Sequence, residues 1–176
     1  MNSKSITPKF LVITGMVFLA AFVRLLPHPP NFAPIAAMAL FGGAYFSKKW
    51  AAFAIPLLAM FLTDLLLGFH STMWAVYLSF ALIVVLGMVM IKQKKISNIF
   101  LASVSASVLF FIITNFAVWA TGLYYAKDLT GLTASYIAAI PFFHYTLLSN
   151  LFFVALMFGS FELVKAKYPQ LVKVKI

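Results

Sequence analysis

Apolar runs of bilayer-crossing length follow one another down this chain, and the lysines fall in the short gaps between them. Six segments can be drawn: Phe10–Leu26, Phe32–Phe46, Ala51–Phe69, Met73–Ile91, Ile99–Thr121 and Tyr136–Val164. A hydrocarbon core of about 30 Å takes about 20 helical residues to cross. Of 176 residues, 64% are hydrophobic and 9% are charged. A soluble domain is nearer half apolar and a quarter charged, so lipid must act as solvent here. The expected fold class is therefore all-α: an integral membrane bundle of six transmembrane helices forming one domain over residues 1–176.

Charge sets the orientation. The second segment has only 15 residues and would also suit a re-entrant hairpin. With six crossings and the N-terminus inside, Lys4, Lys9, Lys48, Lys49, Lys92, Lys94, Lys95, Lys165, Lys167, Lys173 and Lys175 are cytoplasmic. Only Arg24 and Lys127 fall outside, so 11 of 13 cations obey the positive-inside rule. Demoting the second segment destroys that bias, which selects six spans with both termini inside. The net charge of +10 is thus a topology signal, and no nucleic-acid partner is expected. Lys4 and Lys9 before an apolar run imitate a secretory signal, but Arg24 and Pro27-His28-Pro29-Pro30 follow without a small-residue cleavage site, so the segment is expected to be retained.

Placing side chains by depth gathers the polar residues at the outer face. Arg24, Asp64, Asn115 and Trp119 lie near the outer ends of the first, third and fifth segments, and His144 lies near the outer end of the sixth. His28, Asn31 and His70 belong to the outer loops. A carboxylate in the membrane costs about 2.5–3.5 kcal/mol on insertion scales, so Asp64 requires a partner. Arg24 is the one cation at comparable depth. The pair serves either as a brace fixing helix order or as part of a ligand site. Asn115 and Trp119 share a helix face at i, i+4. Pro27-His28-Pro29-Pro30-Asn31 is a stiff strap, because proline fixes φ and restricts the residue before it. The candidate substrate-binding residues are Arg24, His28, Asn31, Asp64, His70, Asn115, Trp119 and His144.

Missing motifs narrow the function. The chain has no cysteine, no HExxH, no GxSxG and no GxxxxGK[ST] phosphate loop. Three acidic residues leave little for a paired-carboxylate or two-metal enzyme. Neither a metal nor a cofactor is expected, and no enzymatic activity. A transporter built on this chain must draw ATP-derived energy from partners or act passively.

Arg24-Leu25-Leu26-Pro27-His28-Pro29-Pro30-Asn31-Phe32-Ala33-Pro34, then Ala36-Ala37-Met38-Ala39-Leu40-Phe41-Gly42-Gly43-Ala44, resembles an uncharacterised bacterial family assigned to transport. Thr114-Asn115-Phe116-Ala117-Val118-Trp119 and Ala139-Ile140-Pro141-Phe142-Phe143 fit the same family. Six spans in under 200 residues with an outer polar site also resemble the substrate-binding S components of energy-coupling factor (ECF) transporters. That resemblance implies capture of a vitamin- or cofactor-sized small molecule from outside, at the bacterial cytoplasmic (inner) membrane. It also implies a transmembrane T component and two ATPase subunits as partners. S components often dock through a small-residue pair in the first helix; the nearest pair here is Ala39 and Gly43 in the second segment. The alternative is a non-enzymatic cell-envelope scaffold resembling MreD-like proteins of similar size.

The topology is directly testable, because the native chain offers no background thiol. Ser97→Cys should react with a membrane-impermeant maleimide only after the cells are opened. Labelling in intact cells would invert the assignment.

Overall fold

The structure is a computed structural model that describes residues 7–172. Lys4, Lys173 and Lys175 lie outside the described residues. The described residues are helical, with no strand among them: α1 Pro8–Val23, α2 Ile35–Tyr45, α3 Lys49–Leu67, α4 Met73–Met90, α5 Ile96–Thr121, α6 Leu129–Lys167 and the short α7 Pro169–Val172. Each of the six apolar segments holds a helix. α3, α4, α5 and α6 are long and apolar enough to cross a membrane, while α1 and α2 are shorter apolar helices.

The largest departures from the sequence expectation are in α2 and α6. α2 has 11 residues where a span of 15 is expected, since Phe32, Ala33, Pro34 and Phe46 remain outside the helix. At 1.5 Å per residue α2 is about 16 Å long, half of a crossing. α6 has 39 residues, from Leu129 rather than Tyr136, with Pro141 inside it. Asp128 starts it, accepting from the Gly131 amide at 2.7 Å as an N-cap.

α2 is the centre of the bundle. It touches α1, α3, α4, α5 and α6, and those five surround it in the order α1, α3, α4, α5, α6, each packed on the next. α7 touches both α6 and α1. This is why α2 shows no polar face: Ala36 to Gly43 is buried throughout. Leu11, Leu19, Leu66, Phe100, Ile112 and Leu156 on the outer helices are exposed, as lipid-facing side chains are in a membrane bundle.

Small residues let α2 and α4 meet backbone to backbone. A Cβ on Gly43 would fall on the Val84 carbonyl oxygen, and one on Gly87 would lie 2.6 Å from the Leu40 carbonyl oxygen. Ala39 is 0% exposed. The Ala39/Gly43 surface expected to dock a partner is therefore spent on internal packing, and the physical reason is the central position of α2.

Contacts define two ends. At one, Phe10 of α1 packs edge-on against Phe46 after α2, with ring centroids 5.6 Å apart. Tyr45 donates to Glu162 of α6 at 3.1 Å, and the Lys94 ammonium lies 5.3 Å from the Tyr45 ring centre. Burial first, then the nearby Lys9, lowers the Lys94 ammonium below the ordinary lysine range. Arg24, Asp64 and Tyr77, from the end of α1, the end of α3 and the start of α4, meet at the other end. The chain thus runs from end to end with each element, and residues 24–34 complete the half that α2 leaves.

Gly43→Ala should lower stability by about 1–3 kcal/mol, the usual cost of overpacking. Gly15→Ala, whose Cβ meets nothing within 4 Å, should be neutral or slightly stabilising. Thermal unfolding of the two variants in lipid nanodiscs checks both.

Candidate functional site

At the Arg24 end, the missing half of α2 is replaced by a strap, residues 24–34, and by open space. The strap turns at Pro29–Phe32, where the Phe32 amide donates to the Pro29 carbonyl at 3.0 Å. Pro30 and Asn31 are the central residues, and Asn31 has φ +61°. Proline followed by a positive φ is the type II pattern, and asparagine is among the few non-glycine residues that tolerate it. The strap then descends, and Ser149 of α6 donates to the Ala33 carbonyl at 3.0 Å.

The space left there is a half-open cavity of about 530 Å³ bounded by the strap, α4, α5 and α6. Its polar wall holds Arg24, Asn31, His70, Thr114, Asn115 and Tyr125, and its apolar wall includes Phe110, Phe111, Phe142 and Phe143. Two helix faces supply most of it. Positions 111, 114, 115 and 118 of α5 and 135, 139, 142 and 146 of α6 recur at helical spacing toward the same space. Among the described residues, none of the three acidic side chains lines it.

Asp64 stands behind the wall. Its Oδ1 accepts from Arg24 Nη2 at 2.6 Å and its Oδ2 accepts from the Tyr77 hydroxyl at 2.8 Å. Arg24 Nη1 donates to Thr63 Oγ1 at 2.6 Å and to the Met60 carbonyl at 3.3 Å. Arg24 and Asp64 are 9% and 5% exposed. The expected ion pair is thus present, buried and hydrogen-bonded by two further side chains. Arg24 alone of the pair reaches the cavity.

The other expected residues divide. Asn31, His70 and Asn115 line the cavity. Asn115 Nδ2 donates to the Phe111 carbonyl of its own helix at 2.8 Å. His70 Nδ1 lies 3.0 Å from Thr72 Oγ1 at the rim. Trp119 is elsewhere: its indole N–H donates to the Ala126 carbonyl at 2.9 Å and braces the α5–α6 connection. His28 is exposed on the strap, with Nδ1 3.0 Å from its neighbour's carbonyl, Pro29 O. His144 is exposed on α6 and lies against Tyr145, ring centroids 4.0 Å apart. Placing His28, Trp119 and His144 by depth alone ignores the direction in which each helix or loop position faces. Ser135 and Thr146 escape a depth-based reading because small hydroxyls in helices carry little cost; their periodicity with Ala139 and Phe142 is the signal that finds them.

A smaller space of about 70 Å³ adjoins the cavity. It shares Asn31, Ile35, Phe110 and Thr146 with the larger one and reaches Asn150. Asn150 Nδ2 donates to the Ser103 carbonyl at 2.7 Å and to Ser107 Oγ at 3.0 Å. Its Oδ1 is buried without a partner.

The chain belongs to Family of unknown function (DUF6580), whose sequence pattern matches residues 4–171. No curated protein and no solved structure matches it.

Removing one partner of a buried ion pair strands the other, typically at about 3–5 kcal/mol, whereas replacing both with apolar side chains is often neutral. Asp64→Asn should therefore lower the melting temperature in nanodiscs, and Arg24→Met with Asp64→Leu should recover most of the loss. A double variant as unstable as the single one would show that the pair adds stability beyond mutual neutralisation.

Proposed function

We propose that this chain is the substrate-capturing subunit of a small-molecule uptake transporter of the ECF kind, spanning the bacterial inner membrane six times with both termini cytoplasmic. The observation that carries this reading is the cavity at the Arg24 end. About 530 Å³ falls within the roughly 300–1,000 Å³ of small-molecule sites. Aromatic walls with a few convergent polar groups are the ordinary composition of such sites. The lysine bias places this end outside, where a capture subunit meets its substrate.

Packing supports capture rather than solitary passage. Beyond the cavity lies α2, in which Met38 to Phe41 are wholly buried, so packed side chains fill the bundle axis along that helix. The chain also lacks a phosphate loop, so in this reading any ATP-derived energy for release comes from partner subunits. A T component and two ATPases fill that role in this reading. With α2 enclosed, docking falls to an outer helix face. A scaffold has no use for a cavity of this composition, and no feature of the site favours that alternative.

Protein purified gently into nanodiscs and then denatured should release a small molecule that mass spectrometry detects. Asn115→Phe, which narrows the cavity, should reduce that molecule at least tenfold with the melting temperature preserved. His144→Ala, outside the cavity, should retain it. Equal retention in Asn115→Phe, or nothing enriched over an unrelated membrane protein, would remove the capture reading.

A further inference from the structure

The end of the bundle opposite the Arg24 cavity carries a second space. It is a furrow of about 360 Å³ between α5 and α6. Ile96, Ile99 and Phe100 of α5 form one bank, and Leu151, Val154 and Phe158 of α6 form the other. Ile96 and Phe100 are exposed, so the furrow lies on the outside of the bundle. Ala155 and Gly159 are the small residues in its bed, and a Cβ on Gly159 would meet nothing within 4 Å. From Leu151 to Glu162 the furrow follows about 16 Å of α6 at 1.5 Å per residue. Spread over that length, the volume gives a cross-section of about 22 Å², enough for one slender chain but not for a helix about 10–12 Å across.

The walls are apolar except at one end. Along them the polar group is Ser103, whose hydroxyl donates to the Ile99 carbonyl at 2.7 Å. Tyr45, Lys94 and Glu162 form the mouth, where positive charge exceeds what the carboxylate can pair. Both Glu162 oxygens are engaged, Oε1 by the Tyr45 hydroxyl at 3.1 Å and Oε2 by Lys165 Nζ at 2.8 Å. Lys94 Nζ donates to the Ile91 carbonyl at 2.8 Å and pairs with no carboxylate among the described residues. Lys9 and Lys165 add repulsion at that ammonium. The other two acidic residues, Asp64 and Asp128, belong to the opposite end. α5 also starts at this mouth, and no side chain caps its first amides. An uncapped helix start favours an anion.

We propose that this furrow binds an anionic phospholipid, with one acyl chain lying between α5 and α6 and the phosphate at Lys94 and the start of α5. The proposal is independent of the capture reading and needs only a bundle embedded in lipid. Width and apolar walls specify the chain. The surplus of ammonium groups specifies the headgroup, since a zwitterionic lipid offsets its phosphate with a cation of its own.

Protein in nanodiscs of equal parts dioleoylphosphatidylglycerol and dioleoylphosphatidylcholine, released in a native mass spectrometer, should retain the anionic lipid at least fivefold over the zwitterionic one. Lys94→Gln should cut that ratio at least threefold. Gly159→Leu, which lays a side chain in the furrow and leaves every lysine in place, should cut it as far. Lys127→Gln, which removes a cation at the opposite end, should leave it unchanged. Glycerol 3-phosphate, which carries the anion without the chains, should not displace the retained lipid. The lipid contrast uses the native chain and stands even if a variant misfolds. Equal retention of the two lipids would overturn the proposal and leave the furrow to a protein partner. A ratio that survives Lys94→Gln, or that falls equally with Lys127→Gln, would overturn the assignment of the headgroup to this mouth. A ratio that survives Gly159→Leu, or lipid displaced by glycerol 3-phosphate, would overturn the acyl-chain site and leave only a general attraction to lysine.

Discussion

A helix of 11 residues cannot cross a bilayer, and the architecture follows from placing that helix at the centre. α2 fills one half of the bundle axis and is enclosed by the five helices around it. The other half of the axis has no helix. Five surrounding helices without a central one leave a void, and the strap occupies only part of it. The cavity is the remainder. Its position opposite α2 is thus a consequence of helix length, and its walls are the inward faces of helices that pack on α2 farther along.

A half-filled bundle needs another means of holding its open end, and the Arg24–Asp64 group supplies it. The pair joins α1 to α3, Tyr77 adds α4, and Thr63 fixes the guanidinium. Each partner is costly in a low-dielectric setting alone, and hydrogen bonds to the remaining oxygens and nitrogens are what make such a pair tolerable. Both Asp64 oxygens are consumed in this way. Asp64 does not line the cavity, so the wall there presents the cation without the anion. The group also anchors the strap, because Arg24 is its first residue.

Much of the helical plan was legible from hydropathy, because each of the six apolar segments does hold a helix. The length of α2 was not. Phe32 to Pro34 are as apolar as the helix they precede, yet the turn at Pro30-Asn31 and the capture of the Ala33 carbonyl by Ser149 accompany their staying outside it. For the candidate site, depth and charge pointed to the Arg24–Asp64 pair that the structure holds, and to Asn31, His70 and Asn115, which line the cavity. Depth cannot report azimuth, which is why His144, at the right level, faces away. The small-residue pair Ala39/Gly43 misled for a related reason: close backbone approach has the same sequence signature whether the neighbour is α4 or another chain.

The two halves of the bundle differ in how they can respond to a bound molecule. Around α2, Gly43 and Gly87 bring backbone against backbone, and packed cores of this kind do not deform continuously. The strap is different: prolines limit its own freedom, but it is held to the rest by a few identifiable contacts, chiefly Arg24 at its start and Ser149 near its end. A molecule in the cavity touches Asn31 and Arg24 on that strap and α5 and α6 opposite. Occupancy would therefore tie the strap to α5 and α6 while leaving the α2 half unchanged.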